Sequence, residues 1–182
     1  MAGGTDYDRE KLAELVLYIA DRSISDARFG KTKLNKILFF SDFTAFRLHG
    51  RSITGAEYQH LPEGPCPHQL LPVLESLGTD IIETREQVGP YTQKRLIAMR
   101  KARVELFSGP EIAIVDAVIS ELAPLTNKQS SELSHETNAW RLTHDKQEVP
   151  YSMAVLSMEE PTAADIAWLT ERSGRGRVEH VS

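Results

Sequence analysis

Apolar residues recur at helical spacing early in the chain. Leu12, Leu15, Val16 and Ile19 fall three or four apart between Asp8 and about Arg22, with Glu10, Lys11, Glu14 and Asp21 on other faces. That pattern predicts an amphipathic helix packed on one side. After a turn-rich SISDARFG stretch ending at Gly30, the residues from roughly Thr32 to Leu48 carry Leu34, Ile37, Leu38, Phe39, Phe40, Phe43 and Phe46. These cover more than one stripe, so this helix is expected to be contacted on several sides and to form the centre of the fold. It would span about 25 Å, the width of a small domain.

Gly50 closes this helix, and the ITGAEYQHL that follows reads as a turn and a short strand. PEGPCP blocks regular structure, because proline lacks the amide donor and Gly64 tolerates positive φ. A short helix is predicted over His68–Leu77, then a β-hairpin with Asp80–Val88 and Thr92–Met99 as strands and Gly89-Pro90 at the turn. Ser108-Gly-Pro-Glu111 has capping-box spacing ahead of Ile112, Val115, Ile119 and Leu122, predicting a helix to about Ala123. Thr126-Asn-Lys-Gln129 repeats that pattern and opens a more polar helix running towards Trp140. A strand is expected after Pro150 within Gln147–Leu156, and a last helix from Pro161 through Ile166 and Leu169. No internal repeat or composition shift divides the chain, so one domain over residues 8–172 is expected, with 1–7 and 173–182 as flexible tails.

Composition narrows the function classes. An apolar fraction of 41% and a charged fraction of 26% are ordinary for a soluble domain, and 182 residues suffice for one filled core. No apolar run approaches the ~20 residues of a membrane span. The MAGGTDYDREK start is acidic where a signal peptide is basic, so a cytoplasmic location is expected. A formal net charge of −5 argues against a dedicated nucleic-acid binder. The single cysteine, Cys66, permits no internal disulfide and no thiolate-built structural zinc. Phosphate-cradling GxxxxGK[ST] and GxGxxG loops are lacking, and no cofactor or metal is expected.

Candidate chemistry gathers between Lys31 and Pro67. Cys66 with His60, His68 or His135 could form a nucleophile and base, but Cys66 lies between prolines rather than at a helix start that would lower its pKa. A packed or partly exposed loop cysteine is the preferred reading. The six histidines form no HExxH or His-x-His pattern that would recruit Asp42 or Glu63 to a metal. Asp42 sits among Phe39, Phe43 and Phe46, and must be paired or hydrogen-bonded if it is buried and ionised. Tyr58, His60, His135 and Trp140 offer donors, and a structural contact tying the helix to a loop is favoured. Lys31, Lys33 and Lys36 crowd the helix start, where the macrodipole mildly disfavours cations. They either face acid elsewhere or are solvated. The basic run of Lys94, Arg95, Arg100, Lys101 and Arg103 reads as a solvated hairpin face, a guard on an edge strand, or a patch for an acidic partner.

Taken together, K-x-x-K-I-L-F-F-x-D, H-G-R-S-I-T-G-A-E-Y, E-G-P-C-P and L-S-H-E-T-N-A-W resemble the SocA-like antitoxin family, also called the Panacea domain. The resemblance covers roughly residues 10–145, with Lys33, Lys36, Phe40, Asp42, Tyr58, Gly64, Pro65, His135 and Trp140 among the matching positions. It implies a compact, helix-rich α+β single domain, here with a central apolar helix and a small antiparallel hairpin or sheet. It implies no catalytic residues, and a cognate toxin protein neutralised by direct binding. The alternative within the family is a proteolytic adaptor that delivers a toxin to a ClpXP-type protease. Two further readings are an enzyme using Asp42, Cys66 and a histidine, and a nucleic-acid-binding regulator using the 94–103 run. No membrane partner is expected.

Overall fold

The computed structural model describes residues 6–88 and 90–155. The helix predicted from Pro161 and the C-terminal tail lie outside them. Helix α1 (Arg9–Arg22) begins at Asp8, whose carboxylate accepts from the Lys11 amide at 2.9 Å. It buries Leu12, Leu15, Val16, Leu17, Ile19 and Ala20, and also Glu14. The expectation of a one-sided helix is therefore corrected. Helices α2 (Lys31–His49), α3 (Leu70–Leu77) and α4 (Gly109–Leu122) and the hairpin all pack on α1, leaving it little solvent.

Helix α2 is central, as its several apolar stripes predict. It is enclosed chiefly by α4, α5 (Asn127–His135), β2 (Cys66–Pro67) and a 3₁₀ turn over Tyr151–Val155. Gly50 ends it in the left-handed region at φ 73°, its amide donating to Phe46 O at 2.8 Å. That reversal returns residues 52–58 along the flank of α2. The core lies between α1, α2 and α4, with Phe29, Leu34, Leu38, Phe39 and Val115 inside it.

Two antiparallel sheets complete the α+β domain. Strands β3 (Ile81–Val88) and β4 (Tyr91–Ala98) form the predicted hairpin, paired from Ile81 with Ala98 to Val88 with Tyr91. A three-stranded sheet in the order β2-β1-β5 pairs β1 (Tyr58–Gln59) with β2 on one side and β5 (Glu148–Val149) on the other. Two expectations change here. Cys66 lies in a strand, not in an irregular loop. The C-terminal strand stops before Pro150 rather than following it, since proline has no amide to extend the ladder.

Both capping boxes form, at Ser108 with Glu111 and at Thr126 with Gln129. The polar helix towards Trp140 divides in two, however. Thr137 sits in extended backbone at ψ 149°, donates its hydroxyl to Ser134 O at 2.7 Å, and caps a new helix α6 (Asn138–Arg141). A threonine that bonds its own neighbourhood in this way competes with helix continuation.

Candidate functional site

Helix α2 presents Asp42 to the returning loop, and the carboxylate is fully buried. The amides of Ile53 and Thr54 each donate to Oδ1 at 2.9 Å. The Thr54 hydroxyl donates to Oδ2 at 2.6 Å and the Tyr58 hydroxyl at 2.8 Å. A carboxylate has about four lone-pair sites, so all are occupied. Burial raises the Asp42 pKa, while the hydrogen bonds from Thr54, Tyr58 and Ile53 pull the other way. Of the four donors considered from sequence, only Tyr58 reaches it. His60, His135 and Trp140 do not, and two main-chain amides and the Thr54 hydroxyl take their place. Phe39, Phe43, Tyr58 and Tyr151 pack edge and face around it, with Phe43 and Tyr151 centroids 4.9 Å apart.

The three lysines at the start of α2 have different fates. Lys31 is half-exposed and pairs with Glu83 at 2.8 Å. Lys33 is buried, paired with Asp26, and donates to Ala123 O at 3.1 Å, which completes the last turn of α4. Lys36 is 1% exposed, and burial lowers its pKa to about 8, with only partial opposition from nearby Cys66 and Glu63. Solvation thus fails as an account of Lys33 and Lys36.

Around Lys36 lie most of the remaining predicted positions. Gly64, at φ 103°, passes so close that a Cβ there would collide with Ser134 Oγ and stand 2.7 Å from Lys36 Nζ. Only glycine fits, on both conformational and steric grounds. Pro65 is buried beside it. The Cys66 thiol donates to Asn35 Oδ1 at 3.2 Å, and burial raises its pKa despite Lys36, so the thiolate is disfavoured at neutral pH. Trp140 stacks with His135 at 4.0 Å and with His60 at 4.5 Å, and donates to Leu61 O at 3.4 Å. Thr143 Oγ1 donates to Ala139 O at 2.7 Å and lies within hydrogen-bond distance of His60 Nδ1 at 2.9 Å. Burial lowers the pKa of both histidines, which keeps the stack neutral at pH 7. His60 and Cys66 each make a side-chain hydrogen bond, whereas His135 Nε2 is buried without one, and no group of three or more potential metal ligands occurs among the described residues.

Phe40 is only half-buried and stands at the wall of a groove of about 490 Å³ with a mixed apolar and polar lining. Phe39, Phe43, Leu122, Leu133 and Met153 contribute to its lining, between α2, α4, the α5–α6 junction and the 3₁₀ turn. Arg47, Glu121 and Glu136 also border it. Sequence reading did not foresee the groove, since its walls come from four separated segments.

A second buried acid also escaped that reading. Glu14 on α1 accepts from Arg100 at 2.8 and 2.9 Å and from the Arg103 amide at 2.9 Å. Lys101 meets Asp21 at 2.8 Å, and Arg95 donates to Ile24 O at 2.6 Å. Much of the basic run thus pairs with α1 and the loop after it, while Lys94, Lys101 and Arg103 keep about half or more of their side-chain surface in solvent.

Residues 34–141 match the family model described as Antitoxin SocA-like, Panacea domain. The chain belongs to this family. Comparison with curated proteins and with solved structures returns no match. The SocA-like match takes in both the Asp42 centre and the Lys36 cluster, along with every residue of the groove except Met153 and Ala154. No helix among the described residues is long and apolar enough to cross a membrane.

Proposed function

We propose that this protein is the antitoxin of a bacterial or phage toxin–antitoxin pair and neutralises its toxin by direct protein–protein binding. Membership of the SocA-like family supports an antitoxin role and a toxin partner in general. The observation that carries the non-catalytic reading is how the chemically capable residues are used. Asp42 has all its acceptor sites filled, Lys33 is paired, and Cys66 is held as a thiol. A nucleophile or general base needs the opposite, a free lone pair within reach of a substrate.

The test is co-expression with the toxic product of a neighbouring gene, followed by co-purification. Restored growth with a stoichiometric complex is expected, burying at least ~1,000 Å² in total. Cys66→Ala should neutralise as well as the parent chain. Failure to bind or protect against any neighbouring toxic product would overturn the proposal. Toxin half-life in the same cells separates neutralisation from delivery to a ClpXP-type protease, since blocking a toxin does not require shortening its life.

A further inference from the structure

The β3–β4 hairpin has two edges, and they are treated differently. On the β4 side, Gly30 lies so close to Lys94 O that a Cβ there would collide with it, and Arg95 donates to Ile24 O at 2.6 Å. The segment after α1 thus covers that edge. On the other side, β3 pairs with no strand but β4 among the described residues. Glu83, Arg85 and Glu86 are exposed along it, as is Ile82.

The ladder decides which main-chain groups β3 turns outward. Its register runs without a bulge from Ile81 with Ala98 to Val88 with Tyr91. The pair one step before, Asp80 with Met99, is hydrogen-bonded, Met99 N donating to Asp80 O at 2.8 Å. Antiparallel pairs alternate between hydrogen-bonded and non-hydrogen-bonded. Even-numbered residues of β3 therefore bond to β4, and the amides and carbonyls of Glu83 and Arg85 point away from it. The same alternation turns Lys94 O outward on β4, in agreement with its approach to Gly30.

A second copy of β3 can bond to this edge antiparallel only by matching odd-numbered residues with odd. Among registers that keep both Glu83 and Arg85 in the ladder, the two-fold axis passes through Glu83, Thr84 or Arg85. An axis through Glu83 or Arg85 sets two like charges directly opposite, which is destabilising. An axis through Thr84 instead sets Glu83 of each copy opposite Arg85 of the other, on one face of the sheet. Arg85 has no ion pair among the described residues, and Glu83 Oε1 meets Lys94 only at a loose 3.8 Å. Edge charges of one sign ward off pairing, but these alternate in sign and complement their own copy.

We propose that this chain self-associates through β3, two copies pairing antiparallel about Thr84 into one sheet of order β4-β3-β3-β4. Main-chain bonds join Glu83 of each copy to Arg85 of the other, and the side chains of the same residues pair across the seam. An edge ladder this short belongs to the small, weak class of interface, so the dimer forms at high concentration. The assignment rests on strand register and charge, not on the antitoxin reading.

Sedimentation equilibrium of the full chain from about 5 to 500 µM tests it, a range suited to a weak interface. A monomer–dimer equilibrium that weakens with salt is expected. Arg85→Glu and Glu83→Arg, each alone, set two like-charge pairs across the seam and should weaken association about tenfold or more. Mixing the two variants restores opposite charges at both pairs, so a heterodimer about as tight as the parent dimer is expected. Arg85 is exposed and without an ion pair among the described residues, so Arg85→Glu should keep the parent's circular dichroism. A parent that stays monomeric throughout would overturn the proposal, as would association unchanged by Arg85→Glu. Loss of association in both variants without recovery on mixing would overturn it too, because the register demands that recovery. No toxin enters these measurements, so failure here and failure of the antitoxin reading are distinguishable.

Discussion

The two central helices each bury a carboxylate, and they compensate it in opposite ways. Asp42 on α2 receives four hydrogen bonds from neutral donors, and burial leaves its pKa raised. Glu14 on α1 receives hydrogen bonds from Arg100 and Arg103, which hold its pKa down at about 2 against the effect of burial. Neutral dipoles fix a loop without supplying a countercharge, whereas guanidinium groups supply charge and keep half their own surface in water. The Asp42 centre is therefore a local clamp that shapes the 52–58 loop. The Glu14 centre is a cross-link between α1 and the segment following the hairpin.

The comparison breaks most severely at Asp42. Asp42→Ala would leave two amides and two hydroxyls buried and unpaired, and each such group costs about 1–3 kcal/mol. A loss of about 4 kcal/mol or more in urea unfolding is expected, enough to unfold a marginal domain; a loss under about 1 kcal/mol would show that the donors find other partners. Glu14→Gln should cost about 2 kcal/mol, discounted because Arg100 and Arg103 are 37% and 47% exposed and can turn to water.

The pH dependence sharpens the contrast, because the signs differ. Glu14 is depressed, so its stabilisation is present above its ordinary value of 4.5 and fades as pH falls towards about 2. Asp42 is raised, so stability on its account falls as pH rises from the ordinary carboxylate range to its folded value. Urea midpoints of Glu14→Gln should accordingly be flatter between pH 4.5 and 2 than those of the parent. An unchanged acid limb would remove the ion pair as its source.

Lys36 extends the comparison to a buried charge with weak compensation. Its pKa of about 8 lies below the ordinary 10.5, so stability on its account rises with pH between those values. Lys36→Met should stabilise by about 1–2 kcal/mol at pH 7. That advantage should shrink by pH 10, and a gain independent of pH would point to packing alone. Thr54→Val removes one of four bonds to Asp42 and the acceptor of the buried Ala56 amide, and should cost about 1–3 kcal/mol in urea unfolding.

Local signals were readable in most places where the partner was near in sequence. The Ser108 and Thr126 capping boxes, the hairpin and the stripes of α2 all depend on neighbours within a turn or across one hairpin. Asp42 was legible as a clamp because a lone acid within an aromatic run has few affordable environments, and its loop follows 11 residues later. Glu14 was not legible. Its partners stand 86 and 89 residues away, and on a helical wheel it looks like any solvent-facing acid. Lys33 and Lys36 were half-legible, since their position against the helix dipole was odd but nothing local named Asp26 or the buried Gly64 loop as the reason. The break before α6 was hidden as well, because Thr137 is tolerated inside a helix and acts as a cap only once its hydroxyl turns back to Ser134.

What the sequence determined by itself is the main helices, the hairpin and the family, written in short-range patterns of apolar spacing, caps and turn residues. Only the tertiary structure decided which charges are buried, which basic residues face α1, and that four segments enclose a groove beside Phe40. The reason is physical. Secondary structure answers to neighbours a few residues apart, whereas burial and charge pairing depend on which distant surfaces the packed helices bring together.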